Sequence, residues 1–190
     1  MDVERLAELQ DRKTAEWHAR AFAASEAELL ALAEENHHCN FSLWHEEDRA
    51  RREDLGYEHV YRAKRNIDGW NQRRNDAIEK MDRALFAALG PFAEGLPMNS
   101  ETPGMIIDRL SILALKAYHM REEAERASAP PAQREACRGK LAIILRQRAD
   151  LAAALAELLD ACAQKRRGFR VYHQFKMYND PNLNPELYSR

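Results

Sequence analysis

Apolar residues recur three and four positions apart along most of the chain, which is the spacing of helices that bury one face. The cleanest series lies between about Gln133 and Arg167, and it consists of Cys137, Leu141, Ile144, Leu151, Leu155, Leu158 and Cys162. No segment shows the regular alternation of apolar and polar residues that indicates a half-buried strand. The pattern therefore predicts an all-α fold, a helical bundle of about five main helices.

Capping residues, prolines and glycines divide residues 1–190 into the helices of a single domain. The predicted helices run from Asp2 or Thr14 to about Asn36, from Asn40 as N-cap to near Gly56, from Tyr57 to Leu89, from Pro103 to about Ala127, and from Gln133 to Arg167. Residues 1–13 are polar on most sides, so we expect a peripheral helical extension that is solvated or lies against another subunit of a homo-oligomer. Residues 168–190 combine two prolines with several aromatic residues, which predicts an irregular tail docked on the bundle.

The segment from Pro103 to Met120 is apolar nearly all the way round a helical wheel, so it is expected to lie in the middle of the bundle. It nevertheless carries ionisable residues in two columns, Asp108 with His119 and Arg109 with Lys116. Buried ionisable groups are costly unless they are paired. The central helix is therefore expected to contribute to a polar site.

Polar residues also interrupt the inner faces of the two preceding helices. They are His45 and Asp48 in the second predicted helix, and Asp68, Asn71, Arg74 and Asn75 in the third. A buried ion-pair network that fixes helix register would explain the charged residues among them. The asparagines favour a polar pocket between helices, because amides both donate and accept hydrogen bonds and suit a hydroxyl-rich ligand. Both interpretations stay open at this point.

The leading hypothesis is a protein that binds or converts an anionic, hydroxyl-rich metabolite, such as a sugar phosphate or a nucleotide sugar. In it, Arg74, Arg109 and Lys116 hold the anion, Asn71 and Asn75 bind hydroxyls, and the acid–base candidates are Asp108 with His119 and His45 with Asp48. The rival is a non-catalytic scaffold or interaction protein with a structural charge network. Whether the protein is an enzyme, and which cofactor it uses, stays open.

A metal-dependent hydrolase or oxygenase is the third alternative. Glu34 and His37, like Glu35 and His38, have the Glu-x-x-His spacing of di-iron bundles, but no second helix offers such a pair. A single ion held by His45, Asp48, Asp108 and His119 is conceivable. No established metal motif is present, and we predict no metal ligands.

Bulk charge and composition narrow the classes of partner. The formal net charge is −2 and the pI is about 6.4, so the chain has no basic footprint for nucleic acid or for an anionic membrane. No apolar run approaches the ~20 residues of a membrane span, and the first residues lack the apolar core of a signal peptide. The cysteines are widely spaced and suit free thiols. We expect a cytoplasmic protein that binds neither nucleic acid nor membrane.

Four blocks of the sequence together resemble the bacterial domain-of-unknown-function family 4254: NFSLWHEEDRAR, KRNIDGWNQRRNDAIEKMD, MNSETPGMIIDRLSILALKAYHM and FKMYNDPNLNPELY. The resemblance covers about residues 15–188. It implies a small helical bacterial protein with no assigned activity. The resemblance also implies a gene neighbourhood with glycosyltransferases and lipopolysaccharide assembly, and hence a role linked to cell-envelope glycan synthesis.

The resemblance also implies a set of functional positions. Its motif positions fall on His45, Asp48, Asp68, Asn71, Arg74, Asn75, Glu101, Asp108, Arg109, Lys116 and His119. The tail block implies that Tyr178, Asn179 and Asp180 close over the site.

Overall fold

The structure is a computed structural model that describes residues 1–20, 28–173, 175 and 182–188. It confirms an all-α bundle whose five long helices are α1 (Val3–Ala19), α2 (Glu28–Ala50), α3 (Tyr57–Leu89), α4 (Pro103–Glu125) and α5 (Pro131–Ala163). The short elements are a 3-10 helix (Glu53–Leu55), two strands, β1 (Met98–Asn99) and β2 (Gly168–Phe169), and a final helical turn, α6 (Pro185–Tyr188). Among the described residues, no helix is long and apolar enough to span a membrane.

Local capping signals set the beginnings of α1 and α4. The Asp2 carboxylate accepts hydrogen bonds from the backbone N–H groups of Glu4 and Arg5, which α1 leaves unpaired at its first turn. Thr102 caps α4 in the same way through the Met105 N–H, and Pro103 occupies the first helical position, as predicted.

The predicted boundary between the first two helices is wrong. α2 runs unbroken through Asn40, and the Asn40 side chain does not cap a helix but donates to Asp108 and Ser111 of α4. Asparagine is common at N-caps because it bonds nearby backbone groups. Here a tertiary partner far along the sequence takes that side chain instead, so the local signal is misleading.

α4 packs against each of the other four long helices, which confirms its predicted central position. α1 and α4 run in the same direction, because Gln10 contacts the Ile107 carbonyl near the start of α4 while the His18 and Tyr118 rings stack further along both helices. α2 runs in this direction too, because Asn36 contacts Asp108 and Trp44 stacks on His119. α3 runs antiparallel to α2, and α5 returns antiparallel to α4. The bundle core is mainly aliphatic, with residues such as Leu6, Met81 and Leu155 fully buried.

The first thirteen residues are part of the bundle rather than a peripheral extension. Leu6, Leu9, Gln10 and Lys13 are buried, so α1 presents a mixed polar and apolar face to its neighbours. Arg148 of α5 reinforces this contact by donating to both carboxylate oxygens of Asp11 at 2.7 Å and to the Ala7 carbonyl at 2.8 Å.

A buried carboxylate joins α3 to the start of α4. Asp82 accepts from the Thr102 hydroxyl and, at 2.7 Å, from the Gly104 N–H. Burial raises the pKa of Asp82 to about 6. The helices approach so closely here that a Cβ on Gly104 would lie 2.8 Å from the Ile78 carbonyl oxygen. Only glycine therefore fits this crossing without a shift of backbone.

Only the first of the described residues in the C-terminal segment 168–190 are seen to pack on the bundle. β2 pairs in parallel with β1, and Gly168 and Phe169 are buried. Tyr172 and Phe175 are exposed, the latter by 85%, so these two aromatic residues do not pack on the bundle as expected. The side chains of Tyr178 and Tyr188 lie outside the described residues.

Candidate functional site

A chain of buried hydrogen bonds connects α1, α2 and α4. The Thr14 hydroxyl donates to the Gln10 carbonyl at 2.7 Å, so Thr14 Oγ1 accepts from Nε2 of His37 at 2.9 Å. His37 Nδ1 then accepts from the Ser111 hydroxyl at 2.8 Å, and Ser111 Oγ accepts from Asn40 Nδ2 at 3.0 Å. Burial lowers the pKa of His37 to about 3, which agrees with this neutral tautomer.

A hydroxyl that donates to a neutral imidazole is also the arrangement of a catalytic nucleophile and its base. Ser111 and His37 are both 0% exposed, however, and a substrate has no path to either atom. The contact therefore holds α2 against α4 rather than performing chemistry.

Asp108 is buried beside this chain, as predicted. Its Oδ1 accepts from Nδ2 of Asn36 at 2.9 Å and from Nδ2 of Asn40 at 2.8 Å, so amides of another helix compensate its carboxylate. Asp108 thus lies beneath the surface of the site, one hydrogen bond behind Asn40.

The polar contribution of α1 and of the first half of α2 was not predicted from the sequence. Lys13 and Glu34 form an ion pair at 2.9 Å with both side chains 1% exposed. The available signal was helical spacing: Gln10, Lys13, Thr14 and Trp17 are three or one apart on one face, and Glu34, His37 and Asn40 are three apart. Because residues 1–13 were expected to be peripheral, this polar face of α1 was not considered part of the core.

An open cleft of about 280 Å³ lies between α2, α3 and α4. It is lined by Asn40, Leu43, Trp44, Glu47, Asp48, Arg51, Asn71, Arg74, Ile112 and Leu115. Burial separates its parts. Asn40, Leu43 and Leu115 are buried and form the floor, whereas Asp48 and Arg51 are exposed at the rim and pair with each other at 2.8 Å.

Arg74 is the cation inside the cleft. Its side chain is half-buried, and its Nε is buried without a hydrogen-bond partner. No carboxylate of the described residues pairs with it within salt-bridge distance. The ion pair that a buried charge network would give Arg74 is therefore not found among the described residues. Arg148, by contrast, is neutralised by Asp11.

Trp44 separates the cleft from a cluster of histidines. Its indole stacks on the His119 ring, with centroids 4.5 Å apart and planes 9° apart. His119 in turn packs edge-on against His18 at 5.0 Å and His45 at 6.0 Å. Burial lowers the pKa of both His45 and His119. The two predicted histidines are thus close together, but they lie beside the cleft and do not line it.

The other described residues of the predicted site lie elsewhere. Asp68 is exposed and pairs with Arg65 at 2.8 Å, and Asn75 is not part of the cleft lining. Arg109 pairs with Glu101, and Arg109 and Lys116 border a separate groove between α4 and α5. The helical wheel correctly put Arg109 and Lys116 together on one face of α4. It does not show which helix that face meets, and the structure shows that it is α5.

Two further predictions concern the tail block and a metal site. Tyr178, Asn179 and Asp180 lie outside the described residues. Within the described ranges, no group of three or more histidine, cysteine, aspartate or glutamate side chains is placed to hold a metal ion. His45, Asp48, Asp108 and His119 in particular do not converge, since Asp108 is bound to amides and Asp48 to Arg51.

The fold and the cleft define a helical-bundle protein with a small polar site between three helices. Residues 30–171 match the family described as protein of unknown function (DUF4254), and the chain belongs to this family. No curated protein and no solved structure matches the chain.

Proposed function

We propose that the protein binds a small anionic, hydroxyl-bearing metabolite, such as a sugar phosphate, in the cleft between α2, α3 and α4. The observation that carries the proposal is the state of Arg74. Arg74 is half-buried, its buried Nε is unsatisfied, and it has no carboxylate partner in the described part of the chain, so its guanidinium group retains donors of the kind that a phosphate or carboxylate group requires.

Neutral polar groups next to Arg74 support a ligand with hydroxyls. Asn71 lines the cleft one helical turn before Arg74, where its amide can both donate and accept. Asn40 lines the floor, and both protons of its amide nitrogen are used toward Asp108 and Ser111. Its oxygen is therefore the atom left to accept from a ligand hydroxyl, and the buried network keeps that oxygen in place.

The size of the cleft favours the smaller of the two expected ligands. Pockets for drug-sized ligands hold roughly 300–1,000 Å³. At about 280 Å³ the cleft lies just below this range, so it suits a sugar phosphate better than a nucleotide sugar.

The site supports binding more strongly than any particular reaction. Asp48 is the one predicted acid–base residue in the cleft lining, and Arg51 pairs with it at the rim. Asp108 is buried with its Oδ1 bound by Asn36 and Asn40, and His119 lies behind Trp44. We also propose that the protein is bacterial and cytoplasmic and serves cell-envelope glycan synthesis. The family resemblance, and not the cleft, supports this part of the proposal.

Calorimetric titration of the purified protein with hexose phosphates and nucleotide sugars tests the proposal. Hexose phosphates should bind the wild type, and Arg74→Ala should weaken binding by about tenfold or more, because a charge-assisted contact contributes about 1.5–3 kcal/mol. Arg65→Ala removes an exposed cation from the same helix and is the matched control, with unchanged affinity expected. Equal loss in both variants, or no binding by the wild type, would overturn the proposal.

A further inference from the structure

We propose that Trp44 is a stacking platform for a sugar ring, so that the cleft selects monosaccharide phosphates over phosphates without a ring. This inference rests on the proposed function and names the class of ligand at the same site. Trp44, which is not among the site residues predicted from the sequence, thereby has a role in specificity.

The position of the Trp44 ring supports this role. One face of the indole is covered by the parallel ring of His119, at a centroid distance of 4.5 Å. Because Trp44 also lines the cleft, its other face or edge is what a ligand meets. The half-buried Trp44 therefore presents an apolar surface to the same cleft that the cation Arg74 and the amide of Asn71 line.

The backing of Trp44 makes the platform rigid. His119 is held by a 2.9 Å hydrogen bond from its Nδ1 to Glu122, and His18 packs against it edge-on at 5.0 Å. A ring that is already fixed loses little side-chain entropy when a ligand stacks on it. This preorganisation is typical of binding sites built from aromatic anchors.

The cleft has both apolar and polar surfaces, and so does a pyranose ring. Leu43, Ile112 and Leu115 add apolar surface near Trp44, while Asn40, Asn71 and Arg74 supply the polar contacts. A pyranose has C–H groups on its ring faces and hydroxyls around its edge, so both surfaces find partners. A short-chain phosphate satisfies Arg74 but leaves the apolar surface in contact with water, which costs affinity.

Titration with matched phosphates tests the inference. The probes are glucose 6-phosphate, mannose 6-phosphate and glucose 1-phosphate, compared with glycerol 3-phosphate and inorganic phosphate, and with uridine monophosphate as a probe for base stacking. At least one hexose phosphate should bind the wild type about threefold to tenfold more tightly than glycerol 3-phosphate, the range expected of one aromatic contact. Trp44→Leu should abolish that preference and leave the affinity for glycerol 3-phosphate within about twofold. Trp44→Phe should retain part of it.

The outcomes separate failure of this inference from failure of the proposed function. If glycerol 3-phosphate binds as tightly as every hexose phosphate, or if Trp44→Leu keeps the preference, the platform is refuted while anion binding stands. If uridine monophosphate binds most tightly and depends on Trp44, the ring is a base and the sugar inference fails. If no phosphate binds the wild type, both proposals fail.

Intrinsic fluorescence provides a second readout that is independent of affinity. The chain has three tryptophans, so the double variant Trp17→Phe/Trp70→Phe leaves Trp44 as the single indole emitter. Saturation with a hexose phosphate should shift or quench its emission, whereas glycerol 3-phosphate should change it little. Where the double variant keeps the wild-type circular dichroism and calorimetric affinity, an unchanged emission at saturation would refute contact between Trp44 and the sugar.

Discussion

Nδ2 of Asn40 lies 2.8 Å from Oδ1 of Asp108, so a residue on the floor of the cleft is held by a carboxylate buried beneath it. The same Asn40 nitrogen donates to Ser111, which continues the network to His37 and Thr14. The polar core and the polar cleft therefore meet at one side chain. The polar core holds α1, α2 and α4 together, whereas the cleft is open to solvent.

Asp108→Ala should destabilise the fold by about 2–4 kcal/mol, because it leaves the buried amides of Asn36 and Asn40 without their acceptor. Urea unfolding measures the change. Asp48→Ala is the control, since the exposed Asp48–Arg51 pair at the rim should contribute less than about 1 kcal/mol. A loss of similar size in both variants would contradict the structural role given to Asp108.

Arg74→Ala should change the stability of the ligand-free protein by less than about 1 kcal/mol, because no carboxylate partner among the described residues is stranded. Arg148→Ala should cost about 2 kcal/mol, since it removes hydrogen bonds to Asp11 and to the Ala7 carbonyl at a buried position. Denaturant unfolding of the two variants compares them. If Arg74→Ala is the more destabilising, Arg74 is a structural residue and not a ligand contact.

His37 should make the protein sensitive to acid. Its pKa is about 3 in the folded state and about 6.5 when unfolded, so the folded state excludes a proton that the unfolded state binds. This contribution to stability is complete above pH 6.5 and is lost as the pH falls toward 3. At pH 5 the loss is about 2 kcal/mol relative to pH 7.

His37→Gln is the variant that isolates this effect, because glutamine does not titrate. Other groups add to the pH profile: lowered pKa values at His38, His45 and His119 act in the same direction, and the raised pKa of Asp82 acts in the opposite one between about pH 6 and 4. The measurement is the difference between wild type and variant in unfolding free energy from pH 7 to pH 5. A constant difference would show that His37 does not carry the effect.

Gly104→Ala should destabilise the protein by about 1–3 kcal/mol, because the new Cβ would lie 2.8 Å from the Ile78 carbonyl and 2.7 Å from the Asp82 carboxylate. Gly69→Ala is a matched control within α3, where nothing lies within 4 Å of the added carbon. It should stabilise the protein by roughly 0.5–1 kcal/mol through helix propensity. Melting curves of the two variants should therefore shift in opposite directions.

Local patterns predicted the parts of the fold that depend on local causes. The all-round apolar character of Pro103–Met120 identified α4 as central, and Thr102 with Pro103 located its beginning. The burial of Asp108 followed from its place on that helix. Asn40 was wrongly predicted to be an N-cap because its side chain bonds a residue 68 positions away, which no local signal reveals.

The site was predicted only in part, for a related reason. A helical wheel gives the direction of a side chain but not the helix that lies there, so Arg109 and Lys116 were assigned to the cleft although they border the groove toward α5. Asn71 and Arg74 of the predicted inner faces do line the cleft, whereas Asp48 lies at its exposed rim. The sequence carries no signal for a ligand contact at Trp44, since aromatic residues at helical spacing usually belong to the core.

We propose above all that Arg74 binds the anionic group of a small metabolite between α2, α3 and α4. A crystal structure of the protein grown with the tightest-binding hexose phosphate tests it most directly. Phosphate oxygens should lie within about 3 Å of the Arg74 guanidinium, with the sugar beside Trp44 and Asn71. A phosphate bound instead in the groove of Arg109 and Lys116, with the cleft free of ligand, would contradict it.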